Sequence, residues 1–159
     1  MVQPSLVCYD KIEKYREHYE HVYCRSIIQT FDGIRVYFKP YRFDHVFYES
    51  TARDGRKDLF SRIRAERIDW IKATLQNPEA DLFQGWDKKR RQYSPHRRVA
   101  VIYESFVVIV AMRLKRNNEL KAEFITCYQA ENSIGKIKSA PVWNLEDCRE
   151  QLLRKKKDR

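Results

Sequence analysis

The stretch FVVIVAMRL, Phe106–Leu114, is apolar at nearly every position. A strand with one face in water alternates apolar and polar residues, whereas one covered on both faces does not. Phe106–Leu114 is therefore expected to be a central strand, with cover on both sides of its sheet. Neighbours for it stand close by. RVAVIYE (98–104) precedes it, and AEFITCYQA (122–130) follows across a turn at RNN (116–118). All three are rich in the β-branched and aromatic residues that strands favour.

Two faces need more than one helix. DLFSRIRAERIDWIKATLQNP (58–78) has helical spacing and ends before Asn77-Pro78, where a helix is expected to stop. DKIEKYREHYEHVYC (10–24) puts Ile12, Tyr15, Tyr19, Val22 and Tyr23 on one face, with Asp10 placed as an N-cap. NLEDCREQLLRKK (144–156) is a third helix, capped by Asn144. The first and last of these helices are the available second cover. SIIQTF-DG-IRVYFK (26–39) reads as a hairpin, because Asp32-Gly33 supplies the positive φ of a tight turn. FDHVFYES (43–50) reads as a further extended segment. The expected class is α+β: a mainly antiparallel β-sheet packed with helices, in one domain of 159 residues.

No apolar run approaches the roughly 20 residues of a membrane helix. The N-terminus MVQPSLVCYDKIEKY has no basic segment followed by an apolar one, so no signal peptide, no membrane partner and a cytoplasmic location are expected. Cys8, Cys24, Cys127 and Cys148 are widely spaced and form no CxxC pair. They are read as reduced thiols that fill space, not as a metal site or a disulfide scaffold.

The net charge of +10 is localised. KKRRQYSPHRR (88–98) holds six basic residues and no acid, and REQLLRKKKDR (149–159) holds six basic and two acidic ones. The remainder of the chain balances. Charge concentrated in this way suits a polyanion such as nucleic acid. Lys88, Lys89, Arg90 and Arg91 are candidate backbone contacts, and the interleaved Tyr93 and His96 can stack on bases or touch the backbone. A solvated loop and a frayed tail are the plainer reading of the same runs.

The helix at 58–78 carries an anomaly. Advancing each residue by roughly 100° places Phe60, Ile63, Ile68, Trp70, Ile71 and Leu75 in one arc, and Arg64 and Arg67 fall inside it. Guanidinium cannot shed its charge, so burial is costly unless it meets a carboxylate or a phosphate. Two readings stand: salt bridges to Glu49, Glu66 or Glu104, or a fork of donors kept for a phosphate. In the extended reading of FDHVFYES, His45 and Glu49 share a face and form a candidate acid/base pair. His18 and His21 fall off the apolar face of their helix and lack a third metal ligand. On FITCY, Phe124, Thr126 and Tyr128 are expected on one face and Ile125 and Cys127 on the other, so that two hydroxyls lie side by side. No Gly-rich phosphate loop, zinc ligand set or serine elbow is present, so no metal and no cofactor is expected.

Taken in order, HVFYES, FSRIRAERIDWIKATLQNP, VAVIYESFVVIVAMRL, FITCY and APVW resemble a phage-associated family of the BECR class, which groups barnase, EndoU, colicin-type and RelE-type nucleases. The resemblance spans roughly residues 43–144. It implies a BECR-like (RelE/barnase-like) core there, an N-terminal helix and hairpin extension over 1–42, and a C-terminal helix and basic tail over 145–159. It also implies metal-independent ribonuclease activity, in which the ribose 2′-OH attacks the adjacent phosphate. Arg64 and Arg67 would then hold the phosphate, His45 and Glu49 would be the acid and base in either order, Thr126 would orient the phosphate or a water, and Tyr128 would position substrate. The implied partners are RNA, whether tRNA or mRNA, and a cognate inhibitor protein, as for a toxin or phage effector. A non-catalytic nucleic-acid-binding module is the main alternative, and a protein-interaction or virion-associated subunit the third.

Overall fold

Residues 3–158 are described by a computed structural model; Met1, Val2 and Arg159, the last cation of the C-terminal run, lie outside the described residues. From the N-terminus, α1 (Ile12–Tyr19) runs into a π turn over Glu20–Cys24, followed by β1 (Ile28–Gln29) and β2 (Arg35–Tyr37). Then come α2 (Arg42–Val46), β3 (Tyr48–Glu49), β4 (Leu59–Phe60), α3 (Arg62–Glu66) and α4 (Ile68–Gln76). Strands β5 (Asp81–Phe83), β6 (Gly85–Asp87), β7 (Gln92–Ser94), β8 (Val99–Tyr103), β9 (Phe106–Leu114) and β10 (Leu120–Gln129) follow, and α5 (Ile134–Lys138) and α6 (Leu145–Lys157) close the chain.

The main sheet has six strands in the order β1-β2-β10-β9-β8-β5. Every pairing is antiparallel except β2 with β10, so the class is α+β with a mostly antiparallel sheet, as the apolar run at β9 implied. β9 has neighbours on both sides and is buried along most of its length. Val108, Val110 and Met112 point to one face, where Tyr15, Tyr19, Phe43, Phe47, Ile68, Ile71 and Leu75 pack on them. Val107 and Ile109 point to the other face, under Ile134, Ile137 and Ala140. Each fully buried side chain of this size contributes about 1.5–3 kcal/mol.

The second cover is therefore α5, a short helix the sequence reading did not anticipate. The helices expected there lie elsewhere: α1 and α6 both send residues to the first face, α6 through Leu145, Cys148 and Leu152. Ile134 and Ile137 offer two apolar positions among lysines and a glycine, too weak a periodicity to be legible. Asn144 does cap α6, its side chain accepting from the Asp147 amide at 3.0 Å.

The described part of the N-terminal segment, residues 3–42, contributes to the same sheet and core. β2 lies along β10, with Val36 opposite Ala122. Tyr15, Tyr19 and Tyr23 are at most 1% exposed, yet each hydroxyl donates to a carbonyl, of Val7, Lys39 and Ile68 respectively. Such pairing removes most of the cost of burying a phenol. The β1–β2 hairpin turns at Asp32-Gly33 with Gly33 at φ +88°. Ile34, Val36 and Phe38 are buried while Tyr37 and Lys39 are exposed, the alternation expected of this strand.

Five local expectations are corrected. Residues 42–46 are helical, not extended: Phe43, Val46 and Phe47 are buried at i, i+3 and i+4, a helical spacing hidden within an alternating pattern. The helix at 58–78 is two helices, starting only at the Ser61 cap and breaking at Arg67 (φ −96°, ψ 20°), which leaves Ile63 63% exposed. Asp10 does not cap α1: Lys11 occupies that position and Asp10 pairs with Lys14 at 3.2 Å, while Ile12 at the helix start is exposed. A bulge between Phe124 and Thr126 rotates β10, so Phe124 joins Cys127 on the first face and Ile125 joins Tyr128 on the second. All four cysteines are free, but Cys8 is exposed and fills no space.

Candidate nucleic-acid groove

The basic loop is built on the β6–β7 hairpin. Buried Asp87 accepts from the amides of Lys89 (3.0 Å) and Arg90 (3.2 Å) and pairs with Arg97 at 3.3 Å. These contacts, the Arg90 amide foremost, hold its carboxyl below the usual carboxylate range. Gly85 lets the hairpin sit against the Arg98 backbone, since a Cβ there would overlap the Arg98 carbonyl. The segment after the hairpin is tied down at two carbonyls. Trp143 Nε1 donates to Pro95 O, and the Met112 amide donates to His96 O, both at 2.7 Å.

Helix α6 closes the other side. Arg149 Nε donates to Asn118 O at 2.9 Å, and Lys156 donates to Asn118 Oδ1 at 2.8 Å. Asn118 sits at φ +65° in the β9–β10 turn, so the end of the helix is pinned to the end of the sheet. Between hairpin, strand ends and helix lies an open groove of about 1340 Å³.

Its lining is lopsided in charge. Lys88, Lys89, Arg97 and Arg98 come from the hairpin and the segment after it. Arg113, Lys115, Arg116 and Lys121 come from the β9–β10 strands and their turn, and Lys155 and Lys156 from α6. Asp87 is the one carboxylate among these lining residues. Cations from both basic runs, about sixty residues apart in the chain, thus face one concavity, and a concave low-dielectric wall concentrates their field. Of the residues singled out in the first basic run, Lys88, Lys89 and His96 line the groove; Arg90, Arg91 and Tyr93 are exposed on the same hairpin but outside the lining.

His96 is half-buried in this groove. Its Nε2 lies 3.0 Å from Lys155 Nζ and its Nδ1 lies 3.2 Å from Gln151 Oε1 and 3.3 Å from Ser94 Oγ. An ammonium only donates, so Nε2 accepts and the proton sits on Nδ1. Burial, and then the charge of Lys155, lowers the His96 pKa.

Trp86 also lines the groove. It pairs across the hairpin with Tyr93, ring centroids 5.1 Å apart at 77°, and is 49% exposed. Nothing in the sequence marked Trp86, two residues before the first basic run, as part of the site. Nor did it mark the cations of MRLKRNNELK (112–121), whose four bases are diluted by neutral residues and Glu119.

The residues expected to form a catalytic cleft are placed elsewhere. Arg64 is half-buried and donates from Nη1 to Val46 O at 3.1 Å; its charge acts on the Cys127 thiol and on Tyr128. Arg67 donates from Nη1 to Ile63 O at 2.8 Å and lies 5.0 Å above the Trp70 ring, with Nε unpartnered among the described residues. Neither meets Glu49, Glu66 or Glu104 in an ion pair among the described residues. His45 and Glu49 are exposed, on α2 and β3. Thr126 lies opposite Ile109, on the second face of the sheet. None of these residues lines the groove.

His18, set aside in the sequence, bridges Tyr9 Oη (2.8 Å) and Asp69 (2.7 Å), joining α1 to α4. Among the described residues no helix is long and apolar enough to cross a membrane, and no His/Cys/Asp/Glu cluster could hold a metal ion. Comparison with family models, curated proteins and solved structures returned no match.

Proposed function

We propose that the chain binds nucleic acid, RNA in the first instance, along the basic groove. The observation that carries this reading is the convergence of ten Lys and Arg side chains from three separate elements on one concavity whose described lining contains a single carboxylate. Phosphates bound there displace their counterions, so affinity falls steeply with salt, by roughly 0.7 to 0.9 in log–log slope per phosphate contacted. The test is fluorescence anisotropy with labelled RNA at several salt concentrations. Neutralising Lys88, Lys89, Lys155 and Lys156 together should lower the slope and weaken binding at least tenfold. Unchanged binding by that variant rules the groove out.

A ribonuclease of BECR type, cleaving through the 2′-OH without a metal, is the second reading. Beyond the resemblance, it is supported by Arg64 and Arg67, two half-buried guanidinium groups that meet carbonyls and a π face but, among the described residues, no carboxylate. A phosphate brought to that region would complete their charge. His45 and Glu49 stand on the neighbouring α2–β3 segment as acid/base candidates. RNA incubated with the protein in excess chelator should then be cut, and Arg67→Ala should stop the cutting. Intact RNA across several substrates leaves the binding module alone.

A further inference from the structure

We propose that the groove selects single-stranded nucleic acid, with unpaired bases stacking on the Trp86–Tyr93 pair at one end and on Tyr37 at the other. This rests on the nucleic-acid reading above and adds the form of the ligand. The hairpin carries its aromatics on one side: strand alternation places Trp86 and Tyr93 together, opposite the side of Gly85, Asp87 and Ser94. Asp87 and Ser94 are buried at 8% and 5%, whereas Trp86 and Tyr93 are 49% and 40% exposed. The hairpin is thus anchored by its polar side and presents rings to solvent, the reverse of what stability alone favours.

Tyr37 repeats the arrangement. It lies on β2, 40% exposed, with Arg35 Cζ 4.7 Å and Lys121 Nζ 5.8 Å from its ring centroid. Lys121 is itself a lining residue of the groove, so Tyr37 continues its wall. Cations flanking an exposed ring at both ends match a strand whose phosphates and bases are read side by side. Rings of this kind stack on any base face, and single strands expose those faces while a duplex hides them. Phosphate contacts alone would not distinguish the two.

The full-length chain is titrated at low salt against four fluorescent probes of equal length: oligo-uridine, an RNA duplex, an abasic phosphodiester strand and poly-glutamate. Oligo-uridine should bind more tightly than duplex and abasic strand. Trp86→Ala should weaken oligo-uridine about tenfold and Tyr37→Ala several-fold, with the abasic strand unaffected by either. Trp86→Phe should restore most of the loss, which separates stacking from hairpin damage. Equal binding of oligo-uridine and abasic strand, or a Trp86→Ala loss shared by both, overturns the single-strand proposal and leaves the groove reading standing. Failure to bind any phosphodiester, or preference for poly-glutamate, overturns both.

Discussion

Lys155 donates to Nε2 of His96 across 3.0 Å and so joins the last turns of α6 to the segment that enters β8. The bond exists only while His96 is neutral, because protonated imidazole has no acceptor. Burial, the nearby charges of Lys155, Arg97 and Arg90, and this bond all favour the neutral ring, with Gln151 opposing them.

That gives stability a sign with pH. A histidine whose folded pKa lies below its unfolded value of about 6.5 stabilises the fold fully above that value, and the contribution is lost as pH falls towards and through the folded pKa. The urea midpoint of the wild type should therefore drop below about pH 6.5 more steeply than that of His96→Gln. Affinity for a phosphodiester strand should move the other way, rising as His96 gains charge. A variant and wild type with parallel midpoints would show that His96 is not held neutral by the fold.

Arg64 is the second case. Its bond to Val46 O ties α3 to the end of α2, so Arg64→Ala should cost about 1.5–3 kcal/mol in urea unfolding, the usual loss for a charge-assisted hydrogen bond. Arg64→Lys should recover little, because the ammonium lacks the planar fork. Groove binding should be unchanged in both variants. A Val46 carbonyl that merely re-pairs with water would show as no loss of stability.

The anomaly that made these arginines conspicuous arose from a geometric assumption. A single straight helix through 58–78 puts Arg64 and Arg67 inside its apolar arc; the break at Arg67 resets the phase, and each guanidinium reaches a carbonyl or a ring instead. The central strand, its two neighbours, the Asp32-Gly33 turn and the Asn144 cap were legible because each depends on a short local pattern. The bulge at Phe124–Thr126 was not, since one extra residue leaves no trace in composition yet exchanges the faces of Phe124 and Ile125. The groove was legible only in its two dense basic runs. Its third wall, from Arg113 to Lys121, depends on β9 and β10 being paired, which is a tertiary fact.

The cysteines can be ranked by access. Burial pushes Cys127 up to about 12 and Cys148 to about 11, and both are buried. Cys24, only partly covered, is also raised to about 11, mainly by burial. Cys8 is exposed and its thiol donates to Glu66 at 3.3 Å. Intact-mass measurements after alkylation near pH 8 should show the first adduct on Cys8, although the Glu66 hydrogen bond raises its pKa too, a slower one on Cys24, and the last two only in denaturant, since reaction needs a thiolate the reagent can reach. Rapid labelling of Cys127 would mean that the helical face of β10 opens under native conditions.

Gly85 tests whether the hairpin's seating makes the groove. A methyl at this position overlaps backbone, the Arg98 carbonyl, rather than the mobile end of a side chain, so the strand itself has to move. Gly85→Ala should therefore cost about 2 kcal/mol or more, the range of overpacked sites. The displacement falls on β6, which carries Trp86 and Asp87, and Asp87 in turn holds Lys89, Arg90 and Arg97. Phosphodiester affinity should fall with stability, whereas Gly135→Ala, where an added methyl meets open space in α5, should leave affinity unchanged and raise stability by up to about 1 kcal/mol. Loss of stability without loss of binding would show that the cations act independently of the hairpin's position, and the groove would then be a diffuse basic surface rather than a shaped site.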